Sequence, residues 1–234
     1  MAGNYSEKIE VFNEAATNFF NAAVTFKELD NLEMTYKHYV KAGDNYWKVE
    51  NVNDSTECYL NAYDIAVEGN LEYNKFGIFN QIVRGLNIIA KEGLKNKQFY
   101  TAATLIMESI KFYQQLDTAK DFLVNEMVKN VYRYYYRAAN LKKIGYSHIV
   151  QSYVMAAISS ILNGRPEKAQ EILSEIELEG ITVKKYKEIV KLIIKWVSEG
   201  KEIEFKNFPY DLQRLIEGSE EISYLLKFFK GYKS

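Results

Sequence analysis

The side chains that most often carry out chemistry are few in this chain and far apart. The 234 residues include two histidines, His38 and His148, and one cysteine, Cys58. The histidines fall on separate predicted helices, and no carboxylates with metal-ligand spacing accompany them. The sequence contains neither a glycine-rich phosphate loop nor a GxSxG nucleophile elbow. We therefore expect a protein that is not an enzyme and that uses no cofactor or metal.

Cys58 and the apolar segments indicate the cellular compartment in which the protein is expected. A single cysteine forms no intramolecular disulfide, which is typical of a reducing compartment, and its place beside Tyr59 predicts a buried structural thiol. Residues 1–12 lack the apolar core of a signal peptide. The most apolar stretch, residues 189–197, is broken by two lysines and is too short to cross a bilayer. The sequence predicts a soluble cytoplasmic protein without a transmembrane segment.

Residues 132–137 (YRYYYR) are the first candidate binding segment. Arg133 and Arg137 are four residues apart and share one face of a helix. Basic and aromatic side chains together can bind single-stranded nucleic acid through charge and stacking. However, the net charge of −1 argues against a nucleic-acid footprint. We favour two arginines that face a protein partner and a buried helical stripe made of Tyr132, Tyr135, Tyr136 and Ala139.

A run of lysines near the C-terminus is the second candidate. One face of a predicted helix carries Lys184, Lys187, Lys191 and Lys195. An ordinary solvated face explains such a run, and an acidic partner surface is the alternative. Residues 1–80 carry 6 basic and 13 acidic side chains, whereas residues 81–234 carry 24 basic and 18 acidic ones. Such a polarised chain can orient a charged partner.

The elements that must position these side chains are helices, because the first 70 residues repeat with a spacing of 20. Twenty residues accommodate a helix of about 16 residues and a short turn. Such helices pair as antiparallel hairpins and stack into a solenoid. Ala22, Ala42 and Ala62 occupy equivalent positions, so we predict that each is buried between helices. The repeat matches Phe19, Ala22, Phe26, Leu29 and Asn31 to Tyr39, Ala42, Tyr46, Val49 and Asn51, and then to Tyr59, Ala62 and Ala66.

Polar residues and glycines predict where the helices end, and no segment alternates as a strand would. Asp54-Ser55 is a candidate N-cap, Gly164 can close a helix, and Pro166 suits the first turn of the next helix. Gly180 and Gly200 mark two further ends. The predicted helices are 7–29, 32–49, 53–68, 72–93, 97–115, 118–143, 147–162, 166–177, 182–199, 209–217 and 219–230.

The 20-residue rhythm fades after residue 178. The sequence therefore predicts an all-α fold with a TPR-like solenoid at residues 1–178 and a helical cap or bundle at residues 179–234.

Several segments resemble the soluble NSF attachment proteins, the SNAP adaptors that connect SNARE bundles to a hexameric AAA+ ATPase. The resemblance covers nearly the whole chain. Helical repeats rich in alanine and aromatic residues also occur in tetratricopeptide proteins, so a generic TPR-like scaffold is an alternative. The segments that resemble the family are 19–43, 54–70, 95–113, 163–173, 186–205 and 224–230.

The resemblance implies antiparallel helix pairs whose charged face binds a helical protein bundle, followed by a C-terminal bundle that contacts an AAA+ ATPase. Leu225 and Leu226 match the family's paired leucines, and Lys227 and Lys230 match the basic residues after them. The family's N-terminal apolar loop has no counterpart before Tyr5, and its acidic tail has none either. Peripheral membrane contact and ATPase stimulation are therefore left open. The expected function is a protein-binding adaptor of the transport type, without a nucleic-acid or small-molecule ligand.

Overall fold

The computed structural model describes residues 2–116, 121–142 and 144–229, and 80% of the described residues are α-helical. No strand occurs in these ranges, which confirms the predicted all-α class. Each of the eleven predicted helices has a counterpart, and a short 3-10 helix covers Phe205–Asn207. The helices are α1 (Ala2–Glu28), α2 (Leu32–Lys48), α3 (Val52–Glu68), α4 (Lys75–Lys95), α5 (Phe99–Gln114), α6 (Asp121–Leu141), α7 (Tyr146–Leu162), α8 (Pro166–Ser174), α9 (Ile181–Ser198), α10 (Tyr210–Glu217) and α11 (Glu220–Leu226).

The 20-residue repeat is also a repeat of backbone conformation at the helix ends. Asp30, Glu50 and Asn70 have positive φ angles of 53°, 60° and 47°. The N–H of each following residue donates to the carbonyl five positions before that residue, at 2.9–3.0 Å. This is the Schellman arrangement, which satisfies carbonyls that the helix end leaves free. The first three helices therefore end in the same way.

At the first two turns, the residue after this left-handed position is also the N-cap of the next helix. The side-chain oxygens of Asn31 and Asn51 accept hydrogen bonds from the third residue after each, so both asparagines are N-caps. The N-cap predicted at Asp54-Ser55 is wrong, because α3 already begins at Val52. Ser55 is buried instead, and its hydroxyl donates to the Gly43 carbonyl at 2.8 Å.

The glycine and proline signals in the second half are confirmed. Gly164 and Gly200 adopt φ angles of 70° and 65°, two residues after the last residues of α7 and α9. Pro166 is the first residue of α8. Gly180 precedes α9 with a φ of 140°, a conformation that side chains with a Cβ rarely adopt.

The first compact unit comprises residues 1–92 and 111–118. In it, α1 packs on α2, and α2 packs on α3. The Lys48 ammonium lies 4.7 Å from the centre of the Phe12 ring, and the Lys41 ammonium lies 5.3 Å from that of Phe19. Phe12 precedes Phe19 along α1, whereas Lys48, which contacts Phe12, follows Lys41 along α2. The two helices are therefore antiparallel.

Small residues allow these helices to approach closely. Ala42 and Ala62 have no exposed surface, as predicted. The prediction is wrong for Ala22, which is half-buried, whereas Ala23 and Ala16 are fully buried. The contact face of α1 is therefore rotated by one residue from the position that the repeat predicts.

Cys58 is buried, as predicted, and burial raises the pKa of its thiol to about 12. At about pH 8, where an ordinary exposed thiol is partly ionised, Cys58 should hold almost no thiolate. We expect alkylation of the native protein to be at least about 100-fold slower than alkylation in denaturant. The rate of iodoacetamide labelling, followed by mass spectrometry, checks this result. Equal rates in the two conditions would show that the thiol is accessible.

The second compact unit comprises residues 93–110 and 119–234, and α7 is its central helix. Residues 152–161 are all buried, because α7 packs against α6, α8, α9 and α11. A helix that is apolar on all sides requires neighbours on all sides. The boundary predicted at residue 178 therefore differs from the observed division, since α9 and α11 complete the core around α7.

Candidate protein-binding surfaces

The exposed guanidinium groups of Arg133 and Arg137 on α6 form the first surface, here named the arginine face. Arg133 Cζ lies 5.9 Å from the centre of the Tyr132 ring, and Arg137 Cζ lies 5.6 Å from that of Phe99. Attraction between a cation and an aromatic ring restricts each guanidinium before any partner arrives. Less side-chain entropy is then lost when a partner binds.

Of the four tyrosines at positions 132, 134, 135 and 136, one is fully buried and three are half-buried. Tyr135 and Ala139 are fully buried, as the predicted stripe requires. Tyr132 is half-buried, and so is Tyr136, whose hydroxyl donates to both carboxylate oxygens of Glu175 at 2.8 Å. Burial raises the pKa of Tyr135 well above its usual value. The hydrogen bonds of Tyr136 tie α6 to the segment after α8.

The second surface is a groove between α8 and α9, here named the lysine groove. Its volume is about 670 Å³. The buried side chains of Leu173 and Ile194 contribute an apolar floor. The complete lining consists of Gln170, Leu173, Ser174, Lys187, Lys191, Ile194, Lys195 and Ser198.

The lysines differ in how firmly the fold holds them. Lys187 donates to the Ile176 carbonyl at 2.8 Å, so it fixes the segment between α8 and α9. Lys191 and Lys195 are exposed, and neither forms an ion pair with a carboxylate in the described ranges. Lys184 is also exposed but does not line the groove. Glu188 lies beside this face of α9 and is likewise outside the lining.

The paired leucines that the resemblance places at an ATPase contact are interior residues. Leu225 and Leu226 have no exposed surface, and α11 buries them together with Ile222. We withdraw both from the binding surface, because a fully buried side chain contacts no partner. Lys227 is exposed, whereas Lys230 lies outside the described residues. The sequence could not separate these roles, since a leucine pair fits a core as well as an interface.

The two histidines have structural contacts. His38 packs against the rings of Phe19 and Phe26, with centroid distances of 5.9 and 5.0 Å. The His148 ring lies 4.8 Å from that of Tyr100. Within the described ranges, no three side chains of the metal-binding types come together. No helix in those ranges is both long and apolar enough to span a bilayer.

A third surface was not predicted from the sequence. It is a row of exposed carboxylates along α3, here named the acidic face, made of Asp54, Glu57, Asp64 and Glu68. The offsets of 3, 7 and 4 residues place them on one side of the helix. Val67, on the same side, is 56% exposed. The excess of acidic residues in the first 80 positions was the available signal.

A comparison of the chain with protein families and with curated proteins finds no match. A function must therefore be inferred from the surfaces of the chain itself.

Proposed function

We propose that this chain is a non-enzymatic scaffold whose arginine face binds an acidic, helical protein partner. The observation that carries this proposal is the pair of exposed guanidinium groups on α6, each lying over an aromatic ring. A guanidinium group can hold a carboxylate through two parallel hydrogen bonds. Two carboxylates four residues apart on a partner helix are separated by about 6 Å along its axis. Arg133 and Arg137 have the same separation along α6.

A more specific proposal follows from the resemblance to SNAP adaptors. In it, the partner is a bundle of helices, and an AAA+ ATPase acts on the assembled complex. The all-α fold of packed consecutive helices is compatible with this proposal. The burial of Leu225 and Leu226 removes one expected ATPase contact, so Lys227 is the remaining described candidate. A TPR-like scaffold with an unrelated peptide ligand uses the same fold.

The test is charge reversal of the arginine face in a chain that otherwise stays intact. Arg133→Glu/Arg137→Glu should weaken binding of the native partner by at least about 10-fold and flatten its salt dependence, because the attraction is screened by salt. Both side chains are exposed, so the free energy of unfolding should change by less than about 0.5 kcal/mol per site. The partner is first purified on the wild-type chain from the native source and then titrated by calorimetry.

The matched control is Lys91→Glu/Lys95→Glu, which reverses two exposed charges at the same spacing on α4. This control should bind the partner as the wild type does. Equal weakening by both variants would mean that net charge matters and that the arginine face is not the site. Unchanged binding by the arginine variant would exclude the site outright.

A further inference from the structure

We propose that the lysine groove of one molecule binds the acidic face of α3 from a second copy of this chain, so that the protein associates head to tail. This contact is separate from the partner binding proposed for the arginine face. It uses two surfaces that the arginine face does not include.

The lysine groove is open and basic. Lys191 and Lys195 stand one helical turn apart on the exposed side of α9. Leu173 and Ile194 supply apolar surface between α8 and α9. The hydrogen bond from Lys187 to the Ile176 carbonyl connects α9 to the segment that follows α8. A groove that combines an apolar floor with charged side chains suits an amphipathic helix of opposite charge.

The acidic face has the complementary features. Glu57, Asp64 and Glu68 are exposed, and none has an ion pair or hydrogen bond to another described side chain. The exposed Val67 side chain lies three residues from Asp64, at the flank of the acidic face. The opposite side of α3 is occupied by its packing within the first unit, where Tyr59, Ala62 and Ile65 are buried.

The two surfaces match in spacing as well as in charge. Asp64 and Glu68 are four residues apart, and so are Lys191 and Lys195, which gives a common separation of about 6 Å along each helix. Val67 would then meet the floor of the groove. The charge difference between residues 1–80 and residues 81–234 favours the same orientation over long range.

Because the two surfaces are different, the contact is heterologous. Each bound copy still offers one free groove and one free acidic face, so the association can continue into a ring or a chain. The mass of the assembly should therefore rise with concentration above the 27.2 kDa of one chain. It should fall again when salt screens the opposite charges.

The experiment uses two charge-reversed variants of the full chain, measured by sedimentation velocity at about 0.05 M and about 0.5 M salt. Lys191→Glu/Lys195→Glu makes the groove acidic, and Asp64→Lys/Glu68→Lys makes the α3 face basic. Each variant alone presents two surfaces of like charge and should stay monomeric. An equimolar mixture restores opposite charges and should associate at low salt, as the wild type does.

Two matched controls reverse charges at the same spacing elsewhere: Glu10→Lys/Glu14→Lys on α1 and Lys91→Glu/Lys95→Glu on α4. Both should associate like the wild type. Circular dichroism confirms that every variant is folded. A wild type that stays monomeric at low salt would overturn the proposal. So would a mixture that stays monomeric while the wild type associates, because the copies would then associate through other surfaces.

Discussion

Replacing Gly85 by alanine should destabilise the protein by about 1–3 kcal/mol through overpacking. A Cβ atom at Gly85 would overlap with Thr56 Oγ1 and would lie 3.0 Å from Thr56 Cβ. Thr56 cannot easily move away, because it is buried and its hydroxyl donates to the Val52 carbonyl at 2.7 Å. The close approach of α4 to α3 therefore requires glycine at this position.

Gly93 provides a matched control in the same helix. A Cβ atom there would meet Ala102 Cβ at 3.5 Å, which is an ordinary contact. Gly93→Ala should thus stabilise the protein by about 0.5–1 kcal/mol, the usual gain in helix propensity. Urea unfolding of the two variants measures the difference. Adding Thr56→Ala to Gly85→Ala should recover part of the loss, and equal stability of the two glycine variants would contradict the packing described.

Truncating Leu225 should strongly destabilise the C-terminal end of the protein. Leu225→Ala removes a fully buried side chain from α11 and should cost about 2–5 kcal/mol. The surrounding residues relax only in part, so the lost contacts and the cavity both contribute. Thermal or urea unfolding gives the value directly.

Lys227 directly follows the same helix, and Lys227→Ala is the control that distinguishes an effect on stability from an effect on binding. Lys227 is exposed, and its truncation should change the free energy of unfolding by less than about 0.5 kcal/mol. A Leu225→Ala protein that keeps its full stability but loses a partner would show that the leucine belongs to an interface. That result would restore the role that the family resemblance assigns to it.

The sequence predicted the helices well because their signals are local. Apolar spacing, Gly164 and Pro166 depend on residues within a turn or two of each other. The N-cap of α3 was misplaced because Asn51 serves two helices: its N–H donates to the Tyr46 carbonyl at the end of α2, and its side chain caps α3. The register of α1 was missed because the repeat assumes equivalent neighbours, and Ala22 of the first helix does not have them.

The candidate surfaces were predicted in part. The exposure of Arg133, Arg137 and Lys191 follows from helical spacing alone. The lysine groove does not, because it depends on the placement of α8 against α9 through residues 175–180, where Gly180 takes a φ of 140°. A leucine pair such as Leu225-Leu226 suits a core and an interface equally, and only packing against α7 assigns it to the core.

The measurement that tests the scaffold proposal most directly is a paired titration of the wild-type chain. One arm uses the protein recovered from the native source, and the other uses a short single-stranded oligonucleotide, each at low and at moderate salt. We expect salt-sensitive binding of the protein that Arg133→Glu/Arg137→Glu weakens, and no comparable binding of the oligonucleotide. Tight, salt-sensitive binding of the oligonucleotide without any protein partner would contradict the scaffold function and support a nucleic-acid-binding helical repeat.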